Sequence, residues 1–177
     1  MMKKIRKILP VILMIWPYLI ILAVVLPGEL GAVQSFIAAY AAFTLIVYGL
    51  NIWNAFTWPY EDPVCRLAFY DMLLKLVHIP FYIGVFMIGL ILALAMVVPA
   101  LLFVSPILIS FMAAIDFGLM LTSSMYGISA VIRLLRNDVL SKKSAMLHIV
   151  LHLIFVSDVI SAVCIYRRSK KFQLCGC

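Results

Sequence analysis

Charged side chains are scarce in this sequence, and acidic ones are the scarcest. Of the 177 residues, 14 are Lys or Arg and 7 are Asp or Glu, whereas 67% are hydrophobic. A water-soluble fold of this size could not cover its surface with so few polar groups. The composition therefore excludes an ordinary soluble domain and predicts a protein that is surrounded by lipid.

The basic residues are gathered in clusters between the apolar stretches, at residues 3–7, 133–136, 142–143 and 167–171. The formal net charge of +7 would suggest a nucleic-acid partner for a soluble protein. Beside membrane spans, however, basic residues act as orientation signals and contact anionic headgroups. We therefore predict the lipid bilayer as the partner and no nucleic acid. We also expect a plasma (inner) membrane location with a cytoplasmic amino terminus. The protein could also bind a membrane-protein partner or form a homo-oligomer, and the sequence does not decide between these two.

Cysteine is also scarce. Cys65, Cys164, Cys175 and Cys177 are too scattered for a disulfide framework, and most of them lie beside basic stretches that we expect in the cytoplasm. Reduced thiols are therefore expected, and no cofactor is predicted.

The apolar runs predict an all-α fold: a polytopic membrane helical bundle that forms a single membrane domain over residues 1–177. Spans are predicted at residues 8–26, 32–56, 81–98, 107–132 and 145–166, since about 20 residues of helix cross the hydrocarbon core. Pro27 and Gly28 predict a turn between the first two spans, and Pro80 and Pro99 bound the third.

Between the second and third runs, polar residues alternate with leucines, which predicts an amphipathic helix over residues 63–79 at the membrane surface. Asp71 and Lys75 are four residues apart, the spacing of an ion pair on one helical face. The predicted interfacial residues are Arg66, Asp71, Lys75, His78, Trp53 and Trp58.

The run at 145–166 presents a conflict between its hydrophobic length and the distribution of positive charge. If it crosses, it exports the basic tail at 167–171, against the rule that basic flanks stay in the cytoplasm. If it does not cross, it is an interfacial or re-entrant helix. Hydrophobic length favours crossing.

Asp116 lies well inside the fourth apolar run, where a carboxylate costs about 2.5 to 3.5 kcal/mol on insertion. It is a candidate for an ion or substrate path, and the alternative is an Asp that bonds helices together.

His148 and His152 are one helical turn apart, and Asp158 follows in the same run. These three residues are the other path candidates. The two histidines have the spacing of metal ligands, but no Glu lies between them to act as a general base, so a metal site is left undecided.

No catalytic motif is complete, so the sequence favours a non-enzymatic transporter, or an accessory or immunity-type subunit of a membrane complex. The alternative is an intramembrane hydrolase or metal-dependent enzyme that uses the Asp and His residues of the last two runs.

Overall fold

The computed structural model describes residues 2–20 and 30–175, and every regular element in these ranges is helical. Helix α1 spans Met2–Ile15, α2 Leu30–Phe56, α3 Val64–Ala95, α4 Val104–Arg136, α5 Lys142–Leu151 and α6 Phe155–Cys175, with short 3-10 turns at Trp16–Leu19 and Pro99–Leu101. The prediction of an all-α fold is confirmed for these residues. Helices suit so apolar a chain because they satisfy the backbone polar groups within one segment.

Three helices are long and apolar enough to cross a membrane, namely Ala38–Phe56 of α2, the whole of α3 and the whole of α4. Helices α3 and α4 contain 32 and 33 residues. At about 1.5 Å rise per residue, each exceeds a hydrocarbon core of about 30 Å, so each would tilt or protrude. The predicted count of five spans is not confirmed.

The first predicted span, at 8–26, is described only in part. Helix α1 begins before it and ends at Ile15, and the 3-10 turn then follows, with Pro17 in its first turn. The predicted turn at Pro27 and Gly28 lies outside the described residues.

Helix α3 joins two segments that the sequence separated. The predicted interfacial helix at 63–79 and the predicted third span at 81–98 form one continuous helix, with Pro80 inside it. The boundary predicted at Pro80 is therefore wrong, since proline is tolerated inside membrane-type helices when the surrounding structure accommodates it. The helix begins directly after Pro63, a favourable residue at a helix start.

Several helix ends meet at one end of the bundle, which we call the basic end. Arg6 of α1 donates to the carbonyl of Thr57, and Asn54 donates to the carbonyl of Arg6 at 2.9 Å. At the other side of the same loop, Arg133 of α4 donates to the carbonyl of Pro59 at 3.1 Å. The start of α1, the loop at 57–63 and the end of α4 therefore lie together.

Helices α5 and α6 form a hairpin instead of the single span predicted at 145–166. Helix α5 starts near the basic end, ends at Leu151, and α6 begins at Phe155. The α6 residue Arg168 returns to within 3.4 Å of the Ser144 hydroxyl of α5, and Tyr166 packs on Phe69, near the start of α3. The basic residues at 167–171 thus come back to the basic end. A single continuous helix over 145–166 is not present, and whether this segment crosses a membrane stays a prediction.

The buried core occupies the half of the bundle nearest the basic end. Its fully buried side chains include Trp58, Leu67, Tyr126, Leu134 and Ile165. In the other half, α3 and α4 expose large apolar side chains, among them Phe86, Leu94 and Ile107. A cluster of polar groups lies at the junction between these two halves.

Candidate functional site

A lysine lies at the centre of the buried polar groups. Lys75 of α3 is 2% exposed, and its Nζ donates to Asp158 of α6 and, at 3.2 Å, to the Ser124 hydroxyl of α4. Asp71, one turn earlier on α3, is fully buried, and its Oδ1 lies 3.4 Å from Nζ. The ion pair predicted from the spacing of Asp71 and Lys75 is present, but it lies inside the bundle.

His152 completes this group, which we call the ionic cluster: Asp71, Lys75, His152 and Asp158. Its Nδ1 lies 2.6 Å from Oδ1 of Asp158 and 3.0 Å from Nζ of Lys75. Its Nε2 lies 4.0 Å from Oδ2 of Asp71. All four side chains are nearly or fully buried, so the cluster joins α3, the α5–α6 turn and α6 through charged groups.

The turn between α5 and α6 depends on this cluster. His152 is the C-cap residue that directly follows α5, and its carbonyl accepts a hydrogen bond of 2.9 Å from the Ser124 hydroxyl. This bond satisfies one of the carbonyls that every helix end leaves unpaired. Residues 152–154 contain neither proline nor glycine, so the chain reverses where side chains of α3 and α4 hold it.

Gly127 of α4 lies directly against the cluster. A Cβ atom added at this position would lie 2.6 Å from Oδ2 of Asp71 and 2.6 Å from Cε1 of His152. No larger residue fits there without displacing buried groups. Gly127 therefore lets the backbone of α4 approach the carboxylate and the imidazole closely.

The ionic cluster contains two carboxyl groups and one ammonium group. If both carboxyl groups are ionised and His152 is neutral, the cluster carries a net negative charge away from water, which is costly. Neither oxygen of Asp71 accepts a hydrogen bond from the described residues. One additional proton, on either carboxyl group, would make the cluster neutral.

His148 of α5 and His152, the C-cap residue after it, are linked through a serine of α6. Oγ of Ser161 lies 2.9 Å from Nδ1 of His148 and 3.4 Å from Nε2 of His152. The face that His148 and His152 share is thus turned towards α6. Among the described residues, no group of three His, Cys, Asp or Glu side chains is placed to hold a metal ion.

A cavity of 860 Å³ lies between α3, α4 and α6. Three of its eighteen lining residues are charged: Lys75, Asp116 and Asp158. The other lining residues are mostly aliphatic or aromatic. The ionic cluster therefore borders an apolar space through two of its members.

The path candidates from the sequence fall into two places. His152 and Asp158 are in the ionic cluster, and His148 is joined to it through Ser161. Asp116 is partly buried and lines the cavity, and its Oδ1 accepts no hydrogen bond from the described residues. Asp116 lies eight residues before Ser124 on α4, about 12 Å along the helix axis.

A family model matches residues 3–171, a range that contains the ionic cluster, the cavity and all four path candidates. The chain belongs to the family of unknown function DUF6652. Comparison with curated proteins and with solved structures gives no match. The family assignment therefore carries no activity with it, and the site has to be interpreted from its own chemistry.

The six residues predicted as interfacial differ in how far they are buried in the protein. Asp71, Lys75, His78 and Trp58 are buried, with His78 bonded to the carbonyl of Leu13 at 3.1 Å. These four side chains are therefore covered by other parts of the protein, and their depth in a bilayer stays a prediction.

The other two predicted interfacial residues are less buried. Arg66 is partly exposed and pairs with Asp62 at 2.6 Å, and Trp53 is 70% exposed. Their depth in a bilayer stays a prediction.

Ser124, Gly127 and Ser161 belong to the site but were not among the residues predicted from the sequence. For the buried position of Asp71 and Lys75, one signal was available: the pair lies directly before a long apolar run. Such a sequence is compatible with one long helix whose charged side chains face inwards.

Proposed function

We propose that this protein is a small membrane carrier that exchanges a cation for a proton, and that the ionic cluster holds the proton. The observation that carries the proposal is the burial of Asp71, Lys75, His152 and Asp158 together beside a cavity. Ionisable groups inside a membrane bundle are costly, and they mark ion and proton pathways.

The excess of carboxyl groups supports proton exchange. The cluster is neutral when it holds one additional proton and negative when it does not, so a nearby positive charge would favour the deprotonated form. A cation that enters the cavity comes close to Asp158 and would promote release of the proton. By linkage, proton binding would weaken binding of the cation to the same extent.

The distribution of basic residues supports a membrane orientation. The hairpin α5–α6 returns residues 167–171 to the end of the bundle that holds Arg6, Arg133 and Lys142. If this end is cytoplasmic, all four basic clusters satisfy the rule for membrane proteins. The hairpin would then be a re-entrant segment, a form of backbone found within membranes where it is buried in protein.

The test of the carrier is cation-driven proton movement in liposomes. Purified protein would be reconstituted into liposomes that contain a pH-sensitive dye and have an acidic interior. We expect external Na⁺, K⁺ or tetraphenylphosphonium to cause proton efflux from vesicles that contain the protein, above the level in empty vesicles. Asp158→Asn should reduce the efflux at least tenfold, because the amide cannot release a proton.

The matched control is Asp138→Asn, which makes the same chemical change at an exposed residue in the loop after α4. Asp138 has a φ of 56°, a conformation that Asn also adopts readily. Proton efflux from this variant should equal that of the wild type. Wild-type rates in Asp158→Asn, or no cation-dependent efflux from the wild type, would contradict the carrier.

A specific arrangement favours the intramembrane hydrolase as a second candidate. Asp158, His152 and Ser161 follow one another in the order carboxylate, imidazole and hydroxyl, with contacts of 2.6 Å and 3.4 Å. This is the order of a catalytic triad. Ser161 is 1% exposed and does not line the cavity, so a substrate would reach it only after the hairpin moved.

Labelling by a fluorophosphonate tests the hydrolase. A serine nucleophile would give covalent label on the wild type, and Ser161→Ala would lose it. No label on folded wild-type protein, or equal label on Ser161→Ala, would contradict this candidate.

A further inference from the structure

We propose that the cavity between α3, α4 and α6 binds a lipophilic organic cation, with Asp116 as the counter-ion. The proposal rests on the carrier function, because it names the class of substrate that is exchanged for the proton. It also makes a separate claim about binding that can be tested without transport.

The shape of the cavity fits an organic molecule better than a bare ion. Its volume of 860 Å³ lies within the range of small-molecule sites, about 300 to 1,000 Å³. The α3 part of its wall runs from Lys75 to Ala93, which is about 27 Å of helix. A space of this length with mainly apolar walls would accommodate an extended hydrophobic body and would stabilise it by burial.

The free charge in this cavity is negative. Lys75 has three N–H donors, and these face Asp158, Ser124 and His152. A ligand carboxylate would have to displace one of these partners. By contrast, Asp116 forms no ion pair with the described residues, whereas Lys75 and Asp158 pair with each other. Of the three charged residues that line the cavity, Asp116 is therefore the one whose charge is not already paired.

Aromatic rings on the same wall also favour a cation. Tyr82 and Phe86 of α3 line the cavity together with Asp116. The face of an aromatic ring attracts an organic cation, and this attraction is stronger away from water. An amine or phosphonium centre beside Asp116 would thus have a carboxylate and aromatic surface nearby.

The position of Asp116 separates cation binding from proton binding. Asp116 lies about 12 Å from Ser124 along α4, whereas the ionic cluster surrounds Ser124. A cation held at Asp116 would still share one cavity with Lys75 and Asp158. This arrangement provides two charge sites within one apolar space, which is suited to exchange of one positive charge for another.

Binding of tetraphenylphosphonium to the purified full-length protein in detergent tests the proposal by equilibrium dialysis. We expect saturable binding of one cation per chain. Asp116→Asn should weaken binding at least tenfold, whereas Asp138→Asn, with the same change at an exposed loop position, should bind as the wild type does. Equal affinity of Asp116→Asn and wild type, or no saturable binding to the wild type, would overturn the proposal.

A second pair of variants tests the location without changing charge. Gly89 lines the cavity, and a Cβ added there meets no atom within 4 Å. Gly89→Phe should fill the cavity and abolish binding. Gly84 is equally open but does not line the cavity, so Gly84→Phe should retain binding. If both variants bind alike, the cation is not bound in this cavity.

Dodecanoate serves as an anionic probe of similar hydrophobic character. It should not displace tetraphenylphosphonium, and displacement would overturn the choice of a cation. Cation binding that depends on Asp116, without cation-driven proton efflux, would support this site and contradict the carrier. Efflux driven by Na⁺ or K⁺ without tetraphenylphosphonium binding would support the carrier and contradict this site.

Discussion

At the scale of single residues, Gly127 has the least room for a side chain among the glycines that the structure describes. Replacement by Ala would place a methyl group 2.6 Å from a buried carboxylate oxygen and from a ring carbon. We expect Gly127→Ala to lower the free energy of unfolding by about 1 to 3 kcal/mol, as overpacking does. Thermal unfolding in detergent would measure the loss.

Gly49→Ala is the control for that substitution, because a Cβ at Gly49 meets no atom within 4 Å. It should leave the unfolding temperature unchanged or slightly higher, since Ala favours helix over Gly. Equal unfolding temperatures for Gly127→Ala and Gly49→Ala would contradict the close contact at the ionic cluster.

Lys75 offers a test of how the charges in the cluster depend on one another. Lys75→Met would leave Asp71 and Asp158 buried without their cation, and breaking a buried pair in this way costs about 3 to 5 kcal/mol. The double variant Lys75→Met, Asp158→Asn removes one of the two unpaired carboxylates and should recover part of that loss. Reversible unfolding in mixed micelles would compare the two variants.

The control for the lysine is Lys170→Met, at an exposed position of α6, which should be nearly neutral. A double variant that is less stable than Lys75→Met alone would show that Asp158 is not stabilised mainly by the ammonium group.

The sequence identified part of the site at this scale. The spacing of Asp71 and Lys75 predicted their ion pair. The presence of the polar residues Asp158 and His152 in an apolar run made them candidates for an ion or substrate path. Their convergence could not be predicted, because it depends on contacts between residues 77 and 83 positions apart. Gly127 and Ser124 gave no local signal, since small residues are common in packed membrane helices for ordinary reasons.

At the scale of elements, the α5–α6 hairpin is the main departure from the sequence prediction. Hydrophobic length favoured one span at 145–166, whereas the charge rule favoured the return of the basic tail. In the structure the basic tail returns to the basic end, as the charge rule favoured. The break at residues 152–154 has no helix-breaking residue, so a local pattern could not identify it.

The hairpin predicts the sidedness of two positions. In a variant without its native cysteines, Lys143→Cys and Lys170→Cys should react with a membrane-impermeant maleimide from the same side of oriented vesicles. Val97→Cys, two residues beyond the opposite end of α3 and 85% exposed, should react from the other side. Opposite sidedness of positions 143 and 170 would restore a crossing segment and contradict the hairpin.

The helix boundary predicted at Pro80 was also wrong. The position of this proline after a polar stretch predicted a helix boundary, yet α3 continues through it for 15 residues, to Ala95. The polar residues before it face the bundle, so the alternation that indicated a surface helix instead reflects one buried face of a long helix. Hydropathy alone does not distinguish these two cases.

At the scale of the whole molecule, charge and apolar surface are separated along the bundle. Basic residues lie at one end, the ionic cluster lies farther along, and the exposed apolar side chains of α3 and α4 extend beyond it. This order is the one expected for a protein that enters a bilayer from one side. The exposed apolar surface would contact lipid, or a second copy of the chain, because large exposed apolar patches mark such contacts.

The central claim is that the ionic cluster binds and releases a proton, and infrared spectroscopy of the carboxyl groups tests it most directly. Acidification of the wild type should produce the C=O stretching band of a protonated, buried carboxylic acid. Asp158→Asn should reduce or shift that band, whereas Asp138→Asn should leave it unchanged. A wild-type spectrum without such a band over the pH range of stable folding, or a band unaltered by both Asp158→Asn and Asp71→Asn, would contradict the account.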